Sequence, residues 1–317
     1  MLEISAVIVN YNSGDWLQKC IHALRQSSYS LKEIVIVDNA SNDASRRYLD
    51  TLEQEVNTQQ IPTFKILKNT KNLGYSTGNN IGVANCSSDL VLILNPDVLV
   101  GLNTIEVLVK NFVDLNDYKV ILAPVLENID GSHQVSYWKF IRIVDLLKEC
   151  FFIHYLFPSK YRLCSDALCV GEALSGAVFM ISKKRWDVLN GFDENLFWME
   201  DVDLCYRNVK LGGKNYITRQ TKVVHYGGGS SEKSRSLAIA NQVFSRLKFF
   251  HKHATFYQWT AAWLLLFFQC LTRWILFSII YLFYRNIKFR RTGYALALKH
   301  LLLFLLKHDK KIITAHS

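Results

Sequence analysis

The sequence predicts an α/β fold, a mainly parallel, doubly wound sheet followed by a helical, membrane-associated C-terminal extension. Three observations predict it. Apolar runs rich in Val and Ile recur through the first hundred residues, each ending in a polar turn, with helical spacings of apolar residues between them. Every one of those turns follows the carboxyl end of a strand, so they collect on one edge of the sheet. The charge is divided. From Asn241 onward the chain carries 12 Lys or Arg and one Asp, leaving 25 basic and 26 acidic residues before it. The net charge of +10 therefore belongs to the C-terminal quarter.

The elements follow in order. Ile4–Val9 is the first strand and ends at the turn Asn10–Gly14. Trp16, Leu17, Ile21 and Leu24 then mark a helix over Trp16–Gln26. Ile34–Val37 is the second strand, ending at Asp38–Asp43. Asn42, Asp43 or Ser45 caps a helix running towards Glu55. Phe64–Leu67 is the third strand, followed by Asn69–Tyr75 and a short helix, Ser76–Ala84. Gly74, Gly78 and Gly82 share a face there, which suits close packing on the sheet and close approach of a ligand alike. No Gly-x-Gly-x-x-Gly follows the first strand, so a dinucleotide-binding dehydrogenase loses its main support.

Val91–Leu94 is an unbroken apolar run, suited to a strand buried on both faces. Pro96 lacks an N–H, so the ladder ends and the chain turns out of the sheet. Asp97 is left at the carboxyl end of a central strand, where open α/β sheets bind ligands. Asn95-Pro96-Asp97 is also an ordinary turn sequence. A carboxylate at that place can nevertheless hold a divalent cation against a phosphate.

Residues 102–115 read as a helix and Val120–Val125 as a strand. The pattern loosens over 132–169, which is rich in aromatics without a period. It returns with a strand at Gly176–Ile181 and a helix at Lys183–Asn190, stopped by Gly191. Glu200, Asp201 and Asp203 follow Phe197 and Trp198, a pocket-rim pattern that opens a helix ended by Gly212-Gly213. Acids in a first helical turn also simply complement the helix dipole. Tyr216–Thr218 and Val223–Tyr226 supply further strand before Gly227–Ser231. The seven cysteines contain no Cys-x-x-Cys and read as plain thiols, Cys164 and Cys169 included, which suits a reducing compartment. The N-terminus has no basic n-region, so that part is expected in the cytoplasm.

In the tail, Trp259–Tyr284 is long and apolar enough to span a bilayer, but Arg273 in its middle is costly there. Basic residues flank it on both sides, with Arg246, Lys248 and Lys252 before it and Arg285, Lys288, Arg290 and Arg291 after it. A single crossing would put one cluster outside. Ala295–Leu306 is too short to span comfortably. Peripheral, in-plane or re-entrant helices on anionic lipid at the cytoplasmic face of the plasma membrane fit better than a single span. A helical hairpin and a soluble oligomer interface remain open. No nucleic-acid partner is expected, because so much bare aliphatic surface has no use on a phosphate backbone.

Seven stretches now stand in order: Val7–Ser13, Ile36–Asp43, Asn72–Asn80, Leu94–Asp97, Gly191–Asp193, Glu200–Asp203 and His225-Tyr226. Together they resemble family 2 glycosyltransferases of the GT-A fold, and within them bacterial rhamnosyltransferases of surface polysaccharide and O-antigen synthesis. The resemblance covers residues 1–230. It implies a nucleotide-sugar half at 1–125 and an acceptor and catalytic half at 126–230, with 231–317 as a basic, membrane-associated tail. It implies an inverting transfer from a nucleotide-diphosphate sugar, dTDP-L-rhamnose by preference with UDP-hexoses open, to a lipid-linked or polysaccharide acceptor. By similarity Val9, Tyr11, Asp38, Asn39, Asn72, Gly74, Asn79 and Asn95 face the donor nucleotide. Asp97 and His225 bind Mg²⁺ or Mn²⁺, Asp201 is the general base, and Glu200 and Trp198 orient the substrates. Asp203 is structural. The family's Asp-x-Asp is here Asn95-Pro96-Asp97, one carboxylate fewer. A sugar nucleotidyltransferase would need basic residues directly after the first strand, where Asn10–Gly14 has none. A non-catalytic assembly protein would have no need of Asp38, Asp97, Asp201 and His225 together.

Overall fold

The computed structural model describes residues 2–55, 62–156, 166–227 and 235–307. The first part runs β1 (Ile4–Asn10), α1 (Trp16–Arg25), β2 (Glu33–Asp38), α2 (Ala44–Glu55), β3 (Thr63–Lys68), α3 (Tyr75–Ala84) and β4 (Leu90–Leu94). It continues through β5 (Val98–Val100), α4 (Thr104–Leu115), β6 (Val120–Glu127), β7 (His133–Gln134) and β8 (Tyr137–Trp138). Next come α5 (Ile143–Cys150), α6 (Ile153–Leu156), β9 (Leu168–Gly171), β10 (Ala173–Leu174), β11 (Val178–Ser182), α7 (Lys183–Leu189), α8 (Glu200–Lys210) and β12 (Lys214–His225). Three helices follow, α9 (Arg235–His253), α10 (Phe256–Tyr281) and α11 (Lys288–Lys307).

Two compact units result. One comprises Met1–Phe140, Leu163–Asp193 and Glu200–Ser230, and the other Ile141–Arg162, Glu194–Met199 and Ser231–Ser317. In the first, a mixed sheet runs β3-β2-β1-β4-β11-β6-β12-β5, with β7 against β6 and β9 against β12. The first four strands are parallel, while β11 is antiparallel to both β4 and β6. Alternate residues of each strand point to opposite faces. Ile4, Ala6 and Ile8 pack with Leu17, Ile21, Leu49 and Ile105 on one side. Val7, Val35, Val91 and Ile93 pack with Val83, Trp186, Leu189 and Leu204 on the other. Both faces are thus covered, which is why the strands read as unbroken apolar runs.

The three glycines on the α3 face divide by role. A Cβ on Gly82 would stand 2.4 Å from Val7 Cγ1, and one on Gly78 2.7 Å from Val9 Cγ1, so these two let the helix sit against the sheet. Gly74 is needed for its positive φ of 85° at the helix entry. Asp43 is the residue that caps α2. Its Oδ1 accepts the Ser45 N–H, and its Oδ2 accepts the Gly14 N–H across the edge. Cys169 is disulfide-bonded, which corrects the expectation of a plain thiol there, and Cys164 lies outside the described residues. Cys20, Cys86, Cys150, Cys205 and Cys270 are free and buried.

The second unit has its own core, built from Leu146, Ala240, Phe244, Leu247, Ala262, Leu266, Cys270, Ala297 and Leu301. α10 is long and apolar enough to cross a membrane by length and composition. Two of its polar residues, Gln269 and Arg273, turn inward and are buried. Glu149 Oε2 accepts from Arg246 Nη1 at 2.6 Å and from Gln269 Nε2 at 3.2 Å. Arg273 Nη2 donates to the Glu149 carbonyl at 2.7 Å, and its guanidinium lies 4.6 Å from the centre of the Phe152 ring. Arg273 therefore has protein partners for its charge and is buried. The outward face of α10 is Leu264, Phe268, Ile275, Leu276 and Ile279, all exposed.

Candidate active site

The parallel strands bring their carboxyl ends to one edge. β1 lies between β2 and β4, and the chain winds outward to β2 and β3 before returning to β4. That reversal of winding opens a crevice at the strand ends. Asn10 and Asp38 stand side by side there in register. Asp38 is wholly buried. Its Oδ1 accepts the Asn10 side-chain amide at 2.8 Å, and its Oδ2 accepts the Ser41 N–H and pairs with Arg46 at 3.2 Å. Tyr11, one residue beyond β1, is 43% exposed, while Val9 is buried against Gly78.

The loop before α3 closes the same edge. Asn72 Oδ1 accepts the Gly74 N–H at 2.9 Å, a local turn that the positive φ of Gly74 permits. Asn39 ties this loop to β2, its Nδ2 donating to the Gly74 carbonyl at 3.0 Å and its Oδ1 accepting from Asn69. Asn79 donates to the Tyr75 carbonyl, and its buried Oδ1 has no partner among the described residues. The buried Oδ1 of Asn95 has none either. A buried acceptor left without a donor is costly, so each carries an unfilled capacity for a ligand donor.

Asn95-Pro96-Asp97 is a turn, closed by Val98 N–H on the Asn95 carbonyl at 3.2 Å. The chain does not leave the sheet there. It re-enters at once as β5, which pairs antiparallel with the end of β12 and sets Val98 opposite His225. This corrects the expected exit at Pro96, and it is the pairing that joins two residues far apart in sequence. Asp97 Oδ1 lies 3.4 Å from His225 Nε2, and Oδ2 accepts the Gly227 N–H at 3.2 Å. His225 Nδ1 lies 2.8 Å from Gln134 Oε1.

β11 enters beside this turn, with the Asn95 N–H on the Ala177 carbonyl at 2.8 Å. The preceding residue, Gly176, donates its N–H to Asp201 Oδ2 at 2.8 Å. Asp201 Oδ1 accepts the N–H of Val202, on its own helix, at 2.7 Å. Burial pushes the Asp201 carboxyl up to about 6, against the opposing pull of those backbone N–H groups. Tyr75 donates its hydroxyl to the Gly176 carbonyl at 2.6 Å. Burial raises its phenol well above the usual range, and the charges of Glu200 and Asp201, then Asp97, add to the rise. Glu200 opens α8 beside Asp201, while Trp198 belongs to the other unit, is 41% exposed and has φ 73°. Asp203 is buried and pairs with Arg207 at 2.7 Å, which donates in turn to the carbonyls of Leu189 and Gly191.

Asp97, His225, Asn95 and Asp201 are thus brought to neighbouring strand ends, with Asp38, Asn39, Asn72, Gly74 and Asn79 along the same edge. Sequence reasoning missed Asn10, Arg46, Tyr75, Gly176 and Gln134. Tyr75 lies inside a motif stretch and Asn10 at a strand end, so both had a local signal. Gln134 sits in the stretch without periodicity and had none. No cluster of three His, Cys, Asp or Glu arranged for a metal occurs among the described residues. Asp97 offers an oxygen donor of the kind that suits Mg²⁺ or Mn²⁺ when phosphate oxygens and water complete the shell, and the nitrogen donor of His225 fits Mn²⁺ better than Mg²⁺, which prefers all-oxygen ligands.

A model described as glycosyl transferase family 2 matches residues 5–168. Over 120 residues the chain is 27% identical to a glycosyltransferase, GlyG, of Streptococcus pneumoniae serotype 4, covering 38% of each chain. The match thus spans well under two thirds of that relative. Among solved structures it is similar to GalNAc-T7 with UDP, GalNAc and Mn²⁺, with TM-score 0.56 and 18% identity over 80% of this chain and 51% of the other. It is also similar to a mannosyltransferase of Pyrobaculum calidifontis in complex with GDP-Man and Mn²⁺. That TM-score is 0.55, with 15% identity over 97% and 88% of the two chains. These likenesses show a GT-A-like fold.

Proposed function

Because the chain belongs to glycosyl transferase family 2, we propose that it is an inverting glycosyltransferase, moving a sugar from a nucleotide-diphosphate donor to a hydroxyl of a lipid-linked or polysaccharide acceptor. The observation that carries this reading is a buried carboxylate, Asp201, raised to about 6, held next to the turn that presents Asp97 to His225. A base with that affinity for protons is ionised at neutral pH yet strong enough to take one from a hydroxyl.

The acceptor oxygen attacks the anomeric carbon and its proton passes to Asp201. The bond from that carbon to the diphosphate oxygen breaks, the nucleotide diphosphate leaves with the electron pair, and the centre inverts. Asp97 and His225 would hold Mg²⁺ or Mn²⁺, which when bound supplies positive charge to the departing diphosphate. Asn95 in place of a carboxylate leaves that site with less charge and lower metal affinity. Asn79 and Asn95 offer their unpartnered Oδ1 atoms to donor hydroxyls. Val9, Tyr11, Asn39, Asn72 and Gly74 shape the nucleotide side, and Glu200 orients the reacting sugars. Asp38, closed off from solvent, acts through Asn10, Ser41 and Arg46, the groups it holds.

The donor we favour is dTDP-L-rhamnose, on the likeness of the seven motif stretches to rhamnosyltransferases. A thermal-shift panel of dTDP, UDP and GDP, with and without Mn²⁺, tests the reading, since a ligand bound only by the folded chain raises its melting point. Stabilisation by dTDP above the others is expected. A better response to UDP or GDP would replace the donor, and no response to any would overturn the enzyme reading.

We also propose that the helical unit attaches the chain, peripherally or as a re-entrant element, to the cytoplasmic face of a bacterial plasma membrane. The exposed apolar face of α10 and the flanking Arg285, Lys288, Arg290 and Arg291 support it, since anionic lipid matches both.

A further inference from the structure

The β6–β7 hairpin carries a hydrogen-bonded chain that ends on His225. Asp130 Oδ1 accepts the Ser132 hydroxyl at 2.6 Å and the Ser132 N–H at 2.9 Å. Ser132 Oγ accepts Asn128 Nδ2 at 2.9 Å. Asn128 Oδ1 accepts Gln134 Nε2 at 3.2 Å, and Gln134 Oε1 meets His225 Nδ1 at 2.8 Å. The far end of the chain is the edge shared with Asp97.

The direction of every bond is set at the first one. An ionised carboxylate can only accept, so the Ser132 proton points to Asp130 and its lone pair faces Asn128. The Asp130 carboxyl is held below its usual range, first by the Ser132 hydroxyl and then by the Ser132 N–H, so it is ionised at neutral pH. Asn128 must then turn its NH₂ to Ser132 and its oxygen to Gln134. Gln134 in turn spends its NH₂ on Asn128 and presents oxygen to the imidazole. The hairpin backbone fixes the spacing, with Asn128 N–H on the Ser132 carbonyl, Gly131 at φ 78° and Leu126 in register with Gln134. A Cβ on Gly227 would stand 3.2 Å from Gln134 Nε2, so the amide packs against the residue that also donates to Asp97.

We propose that Gln134, oriented through Asn128 and Ser132, is a positioning residue that selects the Nδ1–H tautomer of the His225 imidazole and so aims the Nε2 lone pair at Asp97. The inference rests on the metal reading of that pair only for its purpose. Two acceptors 3.4 Å apart attract a cation between them. In the other tautomer Nε2–H would donate to Asp97 and satisfy the pair internally.

The tautomer is read directly in the full-length chain, without metal, by long-range ¹H–¹⁵N correlation of ¹⁵N-histidine-labelled protein at a pH where the imidazole is neutral. The His225 signals are assigned by their loss in His225→Gln. Wild type and Gln134→Glu, which keeps an acceptor, should show Nδ1–H. Gln134→Met, which has no comparable acceptor, should switch to Nε2–H. Asn128→Leu, on the hairpin turn, should release the Gln134 amide to flip and give a mixture, which keeps the idea testable if Gln134→Met does not fold. Wild type in the Nε2–H form, or an unchanged tautomer in both Gln134→Met and Asn128→Leu, would overturn the proposal. Mn²⁺ binding followed by electron paramagnetic resonance adds a second readout. Affinity should fall roughly 10–100-fold in Gln134→Met, the usual cost of losing an outer-shell partner, and less in Gln134→Glu. Wild type that shows the Nδ1–H form yet binds no Mn²⁺ would support the positioning role and overturn the metal reading.

Discussion

Asp201 Oδ2 accepts the backbone N–H of Gly176 at 2.8 Å, and this bond is the fixed point of the site. Gly176 is itself held from the other side by the Tyr75 hydroxyl. The residue that opens α3 thereby braces the backbone that orients the base, so donor-side and base-side elements share one hydrogen-bonded link.

Asp201→Asn should abolish transfer while leaving nucleotide affinity within about twofold, because the amide keeps an acceptor for Gly176 but cannot take a proton. A loss of roughly 10²–10⁴-fold in kcat is the range for removing a general base. Transfer at the wild-type rate would refute the assignment.

The same carboxyl sets a pH dependence. With its affinity raised to about 6, Asp201 is protonated below that value, so kcat/KM should fall on the acid side with a midpoint near pH 6. Stability runs the opposite way. A folded-state value raised above the unfolded 3.8 means that this group's contribution to stability is fully present at low pH and is lost as pH rises through about 6. Asp201→Asn forfeits one of the two backbone acceptors at every pH, so the sign is read from the pH dependence: its melting point relative to wild type should be more favourable at pH 8 than at about pH 4. A difference that does not change between those pH values, or that grows less favourable at pH 8, would refute the raised affinity.

Gly176→Ala probes the positioning. Its Cβ would lie 3.2 Å from Asp201 Cβ and 3.3 Å from Oδ2, so the carboxylate must shift by a few tenths of an ångström. Misplacement of a reacting group by up to an ångström costs as much as 10²-fold, so a fall of about tenfold in kcat with little change in donor KM is expected. Steady-state kinetics with the donor saturating decides it.

Gly82→Ala tests the packing of α3. The added methyl would come within 2.4 Å of Val7 Cγ1, on a central strand that cannot retreat. Overpacking of this kind costs roughly 1–3 kcal/mol. The gain of about 1 kcal/mol in helix propensity offsets part of it. A lower urea midpoint is expected, and an unchanged or higher one would mean the helix can slide.

Charge reversal at Lys288, Arg290 and Arg291 to Glu should weaken binding to anionic vesicles by more than tenfold. Each basic residue near such a surface contributes about 1 kcal/mol. Co-sedimentation with anionic and with neutral vesicles checks it. Equal binding to both by wild type would remove the electrostatic part of the proposal.

The parallel half of the sheet and its helices were legible because their signals are local: runs of Ile and Val, helical spacings, and turns at strand ends. Asp97 and His225 were legible as residue types at those ends, and Asp201 as an acid in the first turn of a helix. What periodicity cannot encode is which strands become neighbours. β11 enters between β4 and β6 in the antiparallel sense, and β5 is only Val98–Val100, too short to show a pattern.

From the sequence alone follow an α/β sheet with its polar turns on one edge, an apolar, basic tail, and carboxylates at the strand ends. Tertiary structure alone decided that Asp97 meets His225, that Gly176 holds Asp201, that Gln134 backs the imidazole and that Arg273 turns inward onto Glu149. Each of those contacts joins residues from separate elements. Their distances are set by sheet pairing and by burial over the whole chain, and no short window of sequence contains them.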